Sequence, residues 1–464
     1  MTVDYDGVIL GGTVQGRAAA ALAAREGARI ALVEPPGSVD RQLRRQLLIA
    51  GLAQGADLSW SQIKGHIDAL GAIAYPHLHL DYLASGGVDV VGEVGQFSPR
   101  PQLAVTTASR RLRSRRYLIA PGTQITAPEI PGLAATAYLT LDTLLELDTL
   151  PESALVLGRS GGAIALAQAL AQRGIRTTLV SRGDALLPTE DADISAFVAA
   201  LLEAAGVTLC LGAQIGAIAQ KDGYTVTLTD GSVLTGAALI VATAPEAEVE
   251  GLNLESLGIR PRLVHGRATA LPVDDRLGTA HRQVFACGPA LGGYWADATD
   301  QSDVAMALHN ALYLPWRRFS WLNRPAHLHT SPDYTRLGLT ATQVRRWYGS
   351  EATLVQVPFG HVLKAHWGED ITGFCRWLVH RNGQLLGAQI CGPGASDLMQ
   401  VVALAVQQQI PLPQIDRLSA LPHSLAALLP LMVDEWQRQR WQPGTWRRDW
   451  AENWFNWRRS RPRP

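Results

Sequence analysis

Two stretches of the chain repeat one pattern: an apolar run ending in glycine, a small-residue helix former, and a second apolar run. They are GVILGGTVQGRAAAALAAREGARIALVE, residues 7–34, and SALVLGRSGGAIALAQALAQRGIRTTLVSR, residues 153–182. Strand, glycine turn, helix and strand in that order make a dinucleotide-binding βαβ unit, whose helix N-terminus faces a pyrophosphate. In the first unit Gly11 makes the tight turn beside Gly12, Gly16 lets helix and strand pack closely, and Glu34 stands where a carboxylate accepts from a ribose hydroxyl. Thr13 occupies the middle position, where glycine normally lets backbone approach the phosphates. Its β-branched side chain either pushes the ligand away or donates a hydroxyl to it. In the second unit Gly158, Ser160 and Ala163 hold the three positions, and the following strand ends in Ser181 and Arg182 instead of an acid. An arginine there suits a 2′-phosphate and so NADPH over NADH, the alternative being an arginine merely solvated at a strand end.

A chain of 464 residues with 47% hydrophobic and 18% charged composition buries an ample core and divides into several domains. Lys plus Arg and Asp plus Glu are 41 each, so no long-range field draws in nucleic acid, and none is expected as a partner. Cys210, Cys287, Cys375 and Cys391 are scattered, with no C-x-x-C pair, which fits a reducing compartment. With the first strand starting near Tyr5 and no apolar run of the roughly 18 residues a span needs, the expected location is cytoplasmic, or peripheral to a membrane. His77 and His79 have no carboxylate or Cys partner at a ligating spacing and read as structural, without a metal. YTVTLTDGSVLTGAALIVATA predicts a hairpin over Asp230-Gly231 leading into a buried strand. RRLRSRRYLIAPG plays the same part after the first unit, its alternation setting Arg111, Arg113 and Arg115 on one solvated strand face. A Pro, Trp and Arg-rich connector runs from Leu314 to Thr330. Beyond it lie a hairpin over Asn382-Gly383 and an amphipathic helix, SDLMQVVALAVQQQI, in a separate α+β domain.

Taken together, these motifs resemble the flavin-dependent pyridine nucleotide-disulfide oxidoreductase family, the group of dihydrolipoamide dehydrogenase, glutathione reductase and mercuric reductase. Besides the two nucleotide units, LIAPGTQITAPEIPGL resembles the close of the family's flavin domain, and PVDDRLGTAHRQVFACGPALGG the return of the chain to the flavin. TSPDYTRLGLTATQV and GAQICGPGASDLMQVVALAV resemble its dimerisation domain. The resemblance covers roughly residues 4–435. It implies an α/β fold with two Rossmann-like three-layer domains and a C-terminal α+β dimerisation domain, assembled as a homodimer. The implied divisions are an FAD domain at 1–150 and 264–325, an NAD(P)H domain at 151–263, an interface domain at 326–435, and a tail at 436–464. FAD would be held by Gly11, Gly12, Thr13, Gly16, Glu34, Gly122 and Gly288, and NADPH or NADH by Gly158, Ser160, Ala163, Ser181 and Arg182.

The departures from the family fall on its thiol chemistry. Its members carry a C-x4-C pair after the first unit, where PPGSVDRQLRRQLLIAGLA contains no cysteine. The glutamate that pairs with a lysine on the cysteine helix is Ala165 here. The His and Glu of a His-Pro-Thr-x-x-Glu-like motif are Leu421 and Ala426, with His423 displaced by two places. A thiolate without a base or an exchange partner does no disulfide chemistry, so no catalytic side chain is assigned. Gly288-Pro289 also replaces a Gly-Asp pair that bonds the flavin's ribityl-phosphate region.

The tail, EWQRQRWQPGTWRRDWAENWFNWRRSRPRP, has no counterpart in that resemblance. Trp446, Trp450, Trp454 and Trp457 line one helix face and arginines flank them, which suits packing on the protein's own body or dimer, a membrane surface, or a protein partner. The expected function is an FAD-dependent NAD(P)H oxidoreductase that passes electrons from flavin directly to a small acceptor such as a quinone, a dye or oxygen. The alternative is a non-catalytic dimeric scaffold that binds through its tail.

Overall fold

The computed structural model describes residues 3–35, 41–53, 58–264, 267–292, 302–417, 421, 423–442 and 444–461. The chain forms two compact units, Met1–Trp321 with Leu328–Thr330, and Leu322–His327 with Ser331–Pro464.

The first unit is built on two five-stranded sheets whose pairings are all parallel. One runs in the order Val284–Ala286, Ser114–Ile119, Tyr5–Leu10, Ile30–Val33, Asp89–Val91. The other runs Thr208–Cys210, Arg176–Val180, Ser153–Leu157, Ala238–Val241, Leu139–Thr140. Central strands of such sheets are covered on both faces, so they read as unbroken apolar runs. Val8 to Leu10, Ile30 to Val33 and Ala154 to Leu157 are all buried. The helices Val14–Arg25 and Gly161–Gln172 follow the glycine turns. Their alanines have no side-chain rotamers to lose and little volume, so each helix lies close against its sheet. The Asp230-Gly231 hairpin forms between Tyr224–Leu228 and Val233–Gly236, with Gly231 at a φ of +88°.

The arginine run departs from expectation. Arg111 opens one short strand, Arg111–Leu112, and Arg115 lies in another, Ser114–Ile119, so no single strand face carries all three. Arg113 sits at the break, held by a two-point pairing with Asp4 (Nε to Oδ2 3.0 Å, Nη2 to Oδ1 2.9 Å). Arg111 donates to the carbonyls of Arg100 and Gln102. The Leu314–Thr330 connector also holds a short strand, Ala326–Leu328.

In the second unit an antiparallel sheet orders Tyr334–Gly338, Leu385–Cys391, Phe374–His380 and Ala352–Pro358. Fully buried Trp377 lies in its core with Met399 and Val402 of helix Ala395–Gln407 and Met432 and Trp436 of helix Leu428–Arg440. The hairpin turns at Gly383, φ +93°. The tail folds as the expected helix, Trp446–Ser460, and none of its residues is buried within the single chain. Among the described residues no helix is long and apolar enough to cross a membrane.

Candidate nucleotide sites

Each glycine turn presses against the end of a neighbouring strand. A Cβ on Gly11 would lie 1.9 Å from the Ala120 carbonyl oxygen, and one on Gly158 would lie 2.4 Å from that of Ala242, with φ at +127° and +139°. Gly16 completes the first turn, its Cβ position 2.4 Å from the Gly11 oxygen. Only glycine fits these places.

The hydroxyl residues at the two middle positions do one identical job. Thr13 Oγ1 accepts from the Gly16 N–H at 3.1 Å and donates to the Ala120 carbonyl at 3.1 Å. Ser160 Oγ accepts from the Ala163 N–H at 3.0 Å and donates to the Ala242 carbonyl at 2.7 Å. Each therefore caps its helix and pins the turn to the strand beside it. In this arrangement the Thr13 hydroxyl gives its proton to the Ala120 carbonyl. The Thr13 methyl also sits where a Cβ on Gly122 would be, 3.0 Å away, and Gly122 has a φ of +86°. The cap takes one of the helix's four N–H groups that lack an intrahelical partner.

Glu34 is buried at the mouth of the first turn, and a Cβ on Gly12 would lie 2.2 Å from its carboxyl carbon. Arg17, one turn into the helix, grips it at two points, Nε to Oε2 at 3.1 Å and Nη2 to Oε1 at 2.5 Å. Sequence reasoning missed this partner, although Arg17 follows the fingerprint directly. On the far side of the turn the Gly288 N–H donates to Asp303 Oδ2 at 2.9 Å, and Pro289 opens a short 3-10 turn. Gln15, fully buried, packs on Gly288, with neither amide atom hydrogen-bonded. An orphaned amide costs roughly 1–3 kcal/mol. A polar group seated at this helix N-terminus would satisfy it, so the turn, Glu34 and Gln15 together fit the phosphate and ribose of FAD.

In the second unit Ser181 is buried, accepting from the Gly183 N–H at 3.2 Å, and Arg182 is exposed beside it. Arg159, inside the glycine turn, lies over Gly183 and donates to the Ala185 carbonyl at 3.3 Å. Two guanidinium groups thus stand near one strand end where the sequence reading named only Arg182. The signal was an arginine at a variable position of the fingerprint.

The helix Arg41–Ala53 occupies the stretch where the resemblance places the thiols; residues 36–40 of that stretch lie outside the described residues. Its buried Arg45 grips Asp142 at two points (2.6 and 2.7 Å) and reaches the hydroxyl and carbonyl of Thr123 at 3.3 and 3.2 Å. This ties the helix to the short strand, Thr123–Gln124, that follows Gly122. Cys287, Cys375 and Cys391 are buried and Cys210 is partly so. Burial pushes the Cys391 thiol up to about 12 and the Cys375 thiol further still, while burial and nearby Asp230 raise Cys210. Leu421 is exposed, and His423 stacks on Trp367 with ring centroids 4.2 Å apart.

Residues 5–312 match the family described as pyridine nucleotide-disulphide oxidoreductase, and residues 324–424 match its dimerisation domain. The chain belongs to the pyridine nucleotide-disulphide oxidoreductase family. It is 27% identical to a mercuric reductase of Staphylococcus aureus over 87% of this chain and 77% of that protein. It is 26% identical to a dihydrolipoyl dehydrogenase of Bacillus subtilis over 87% and 92%. The solved structure of LpdA from Mycobacterium tuberculosis superposes with a TM-score of 0.82 at 23% identity, covering 92% of this chain and 98% of that one, a likeness of fold. Members of the family bind FAD and take electrons from NAD(P)H, and the protein is an oxidoreductase of this kind, which displaces the scaffold reading. The dimerisation-domain match supports a homodimer.

Proposed function

We propose that this oxidoreductase moves two electrons from NAD(P)H through FAD directly to a small acceptor such as a quinone, a dye or oxygen, with no dithiol relay. The observation that carries the reading is Arg45. On the helix where the family keeps its thiols, a buried guanidinium is locked to Asp142 and Thr123, while the chain's four cysteines lie elsewhere, with the thiols of Cys210, Cys375 and Cys391 raised by burial. Bound FAD supplies the two-electron acceptance from nicotinamide. The chain's own part is to bind and orient. Gly11, Gly12, Gly16 and Gly122 shape the first turn; Thr13 fixes it; Glu34, shared with Arg17, meets the adenosine ribose; and Gly288 seats Gln15 beside the phosphates. Gly158, Ser160 and Ala163 repeat the arrangement for the nicotinamide nucleotide, with Ser181 and Arg182 at its ribose end. For a quinone the balance is NADPH, one proton and quinone giving NADP+ and hydroquinone.

In steady-state assays the holoenzyme is expected to reduce a soluble quinone with NADPH, to be unchanged by prior treatment with iodoacetamide at pH 8, and to leave lipoamide and glutathione disulfide untouched. A thiolate is the alkylated form, and burial keeps Cys287, Cys375 and Cys391 from the reagent. Disulfide turnover, or inactivation by the reagent, would rule the reading out.

NADPH is the favoured donor, because Arg159 and Arg182 flank the place of a 2′-phosphate. Replacing both with leucine is expected to raise KM for NADPH at least about tenfold, each charge-assisted bond contributing roughly 1.5–3 kcal/mol, with little effect on NADH. Equal losses with both donors would count against this role. The tail is the element we assign to a partner outside the body of the enzyme.

A further inference from the structure

The helix Trp446–Ser460 carries four tryptophans and a phenylalanine but no Leu, Ile, Val or Met. Trp446, Trp450, Trp454 and Trp457 are 73%, 62%, 43% and 44% exposed, so the chain itself leaves the stripe open. At about 100° per residue the four indoles fall within an arc of roughly 80°. The Trp450 and Trp454 rings run nearly parallel at 6.1 Å, and Trp457 packs on Trp454 at 4.9 Å, making a continuous indole surface.

The charges sort by face. On the same geometry Arg447 and Arg458 border the arc, whereas Asp449 and Glu452 lie more than about 90° from its centre. Arg447 sits over the Trp446 ring at 5.2 Å, and Arg461 over Trp457 at 3.9 Å. Cations therefore line one long edge of the aromatic face, the other edge carrying Asn453 and Ser460 with Asp449 beyond them, while Glu452, Arg448 and Arg459 lie on the opposite side.

We propose that this helix is a peripheral anchor that lies flat on an anionic lipid bilayer. Indoles favour the headgroup level, where an apolar ring and a polar N–H are both accommodated, and arginines at the rim meet lipid phosphates. With no Leu, Ile, Val or Met on the helix, the apolar contact of this stripe is made by indoles, the side chains enriched at the membrane interface. The anchor needs no part of the redox reading, though it would hold a reductase where membrane-dissolved acceptors lie.

The test is co-sedimentation of the full-length, FAD-reconstituted protein with vesicles of phosphatidylglycerol and phosphatidylcholine in equal parts, against phosphatidylcholine alone. The protein is expected to pellet with the anionic vesicles, at least tenfold less with the neutral ones, and less as salt rises. The triple variant Trp450→Ala, Trp454→Ala, Trp457→Ala removes no buried side chain. It should lose at least tenfold in vesicle binding while keeping its flavin spectrum and gel-filtration volume. Failure of the unaltered protein to bind anionic vesicles, or equal binding by the variant, overturns the anchor. So does a variant that elutes as a smaller assembly, since the stripe would then be covered by a second copy. Flavin content is read in the same samples, so failure of the redox assignment is seen separately.

Discussion

Gly11→Ala protein is expected to purify without FAD, whereas Gly158→Ala protein should remain yellow and lose its reduction by NAD(P)H. The two substitutions add the same methyl group to equivalent turns. At Gly11 it would stand 1.9 Å from the Ala120 oxygen, on backbone with a φ of +127°. Neither can give without moving the strand end on which Thr13 is pinned. Strained backbone alone costs roughly 1–3 kcal/mol, and the overlap adds to that, so FAD affinity should fall by at least about a hundredfold. At Gly158 the clash is with the Ala242 oxygen at 2.4 Å, in the other sheet. Absorbance at about 450 nm reads the first effect, and anaerobic bleaching by NADPH reads the second. If both variants lost flavin equally, the assignment of one nucleotide to each unit would be wrong.

Arg45→Ala should be the most destabilising side-chain truncation on the helix Arg41–Ala53, by about 3 kcal/mol or more. It leaves the Asp142 carboxylate and the Thr123 carbonyl without the donors they now share. Arg45→Lys keeps the charge but not the two-pronged geometry, and should lose about half as much. Urea unfolding monitored by far-UV circular dichroism measures both. A loss under about 1 kcal/mol for Arg45→Ala would mean that the helix is held by its apolar contacts alone.

The features legible in the sequence were those whose cause is local. The two nucleotide units showed themselves because doubly covered strands need unbroken apolar runs and the turns need glycine, and the hairpins over Asp230-Gly231 and Asn382-Gly383 because those pairs suit tight turns. The tail's helix was legible from its tryptophan spacing. What stayed hidden depended on distant parts of the chain. The Thr13 hydroxyl accepts from a residue three places on, a capping pattern open to inspection, but donates to Ala120, 107 positions away. Arg45 and Asp142 are separated by 97 positions, and no periodicity links them. The arginine run was alternating, as read, but Arg113 at its break pairs with Asp4, 109 positions away and just before the strand Tyr5–Leu10. The tail's exposure was hidden too, since a tryptophan stripe is patterned alike whether buried or open.

The central claim is that the flavin is the enzyme's only redox centre. Anaerobic reductive titration of the FAD-loaded protein with dithionite counts the electrons it takes up. Two electrons per FAD are predicted, with bleaching linear from the first addition to the endpoint. Four electrons per FAD, with the second pair entering a disulfide, would contradict it.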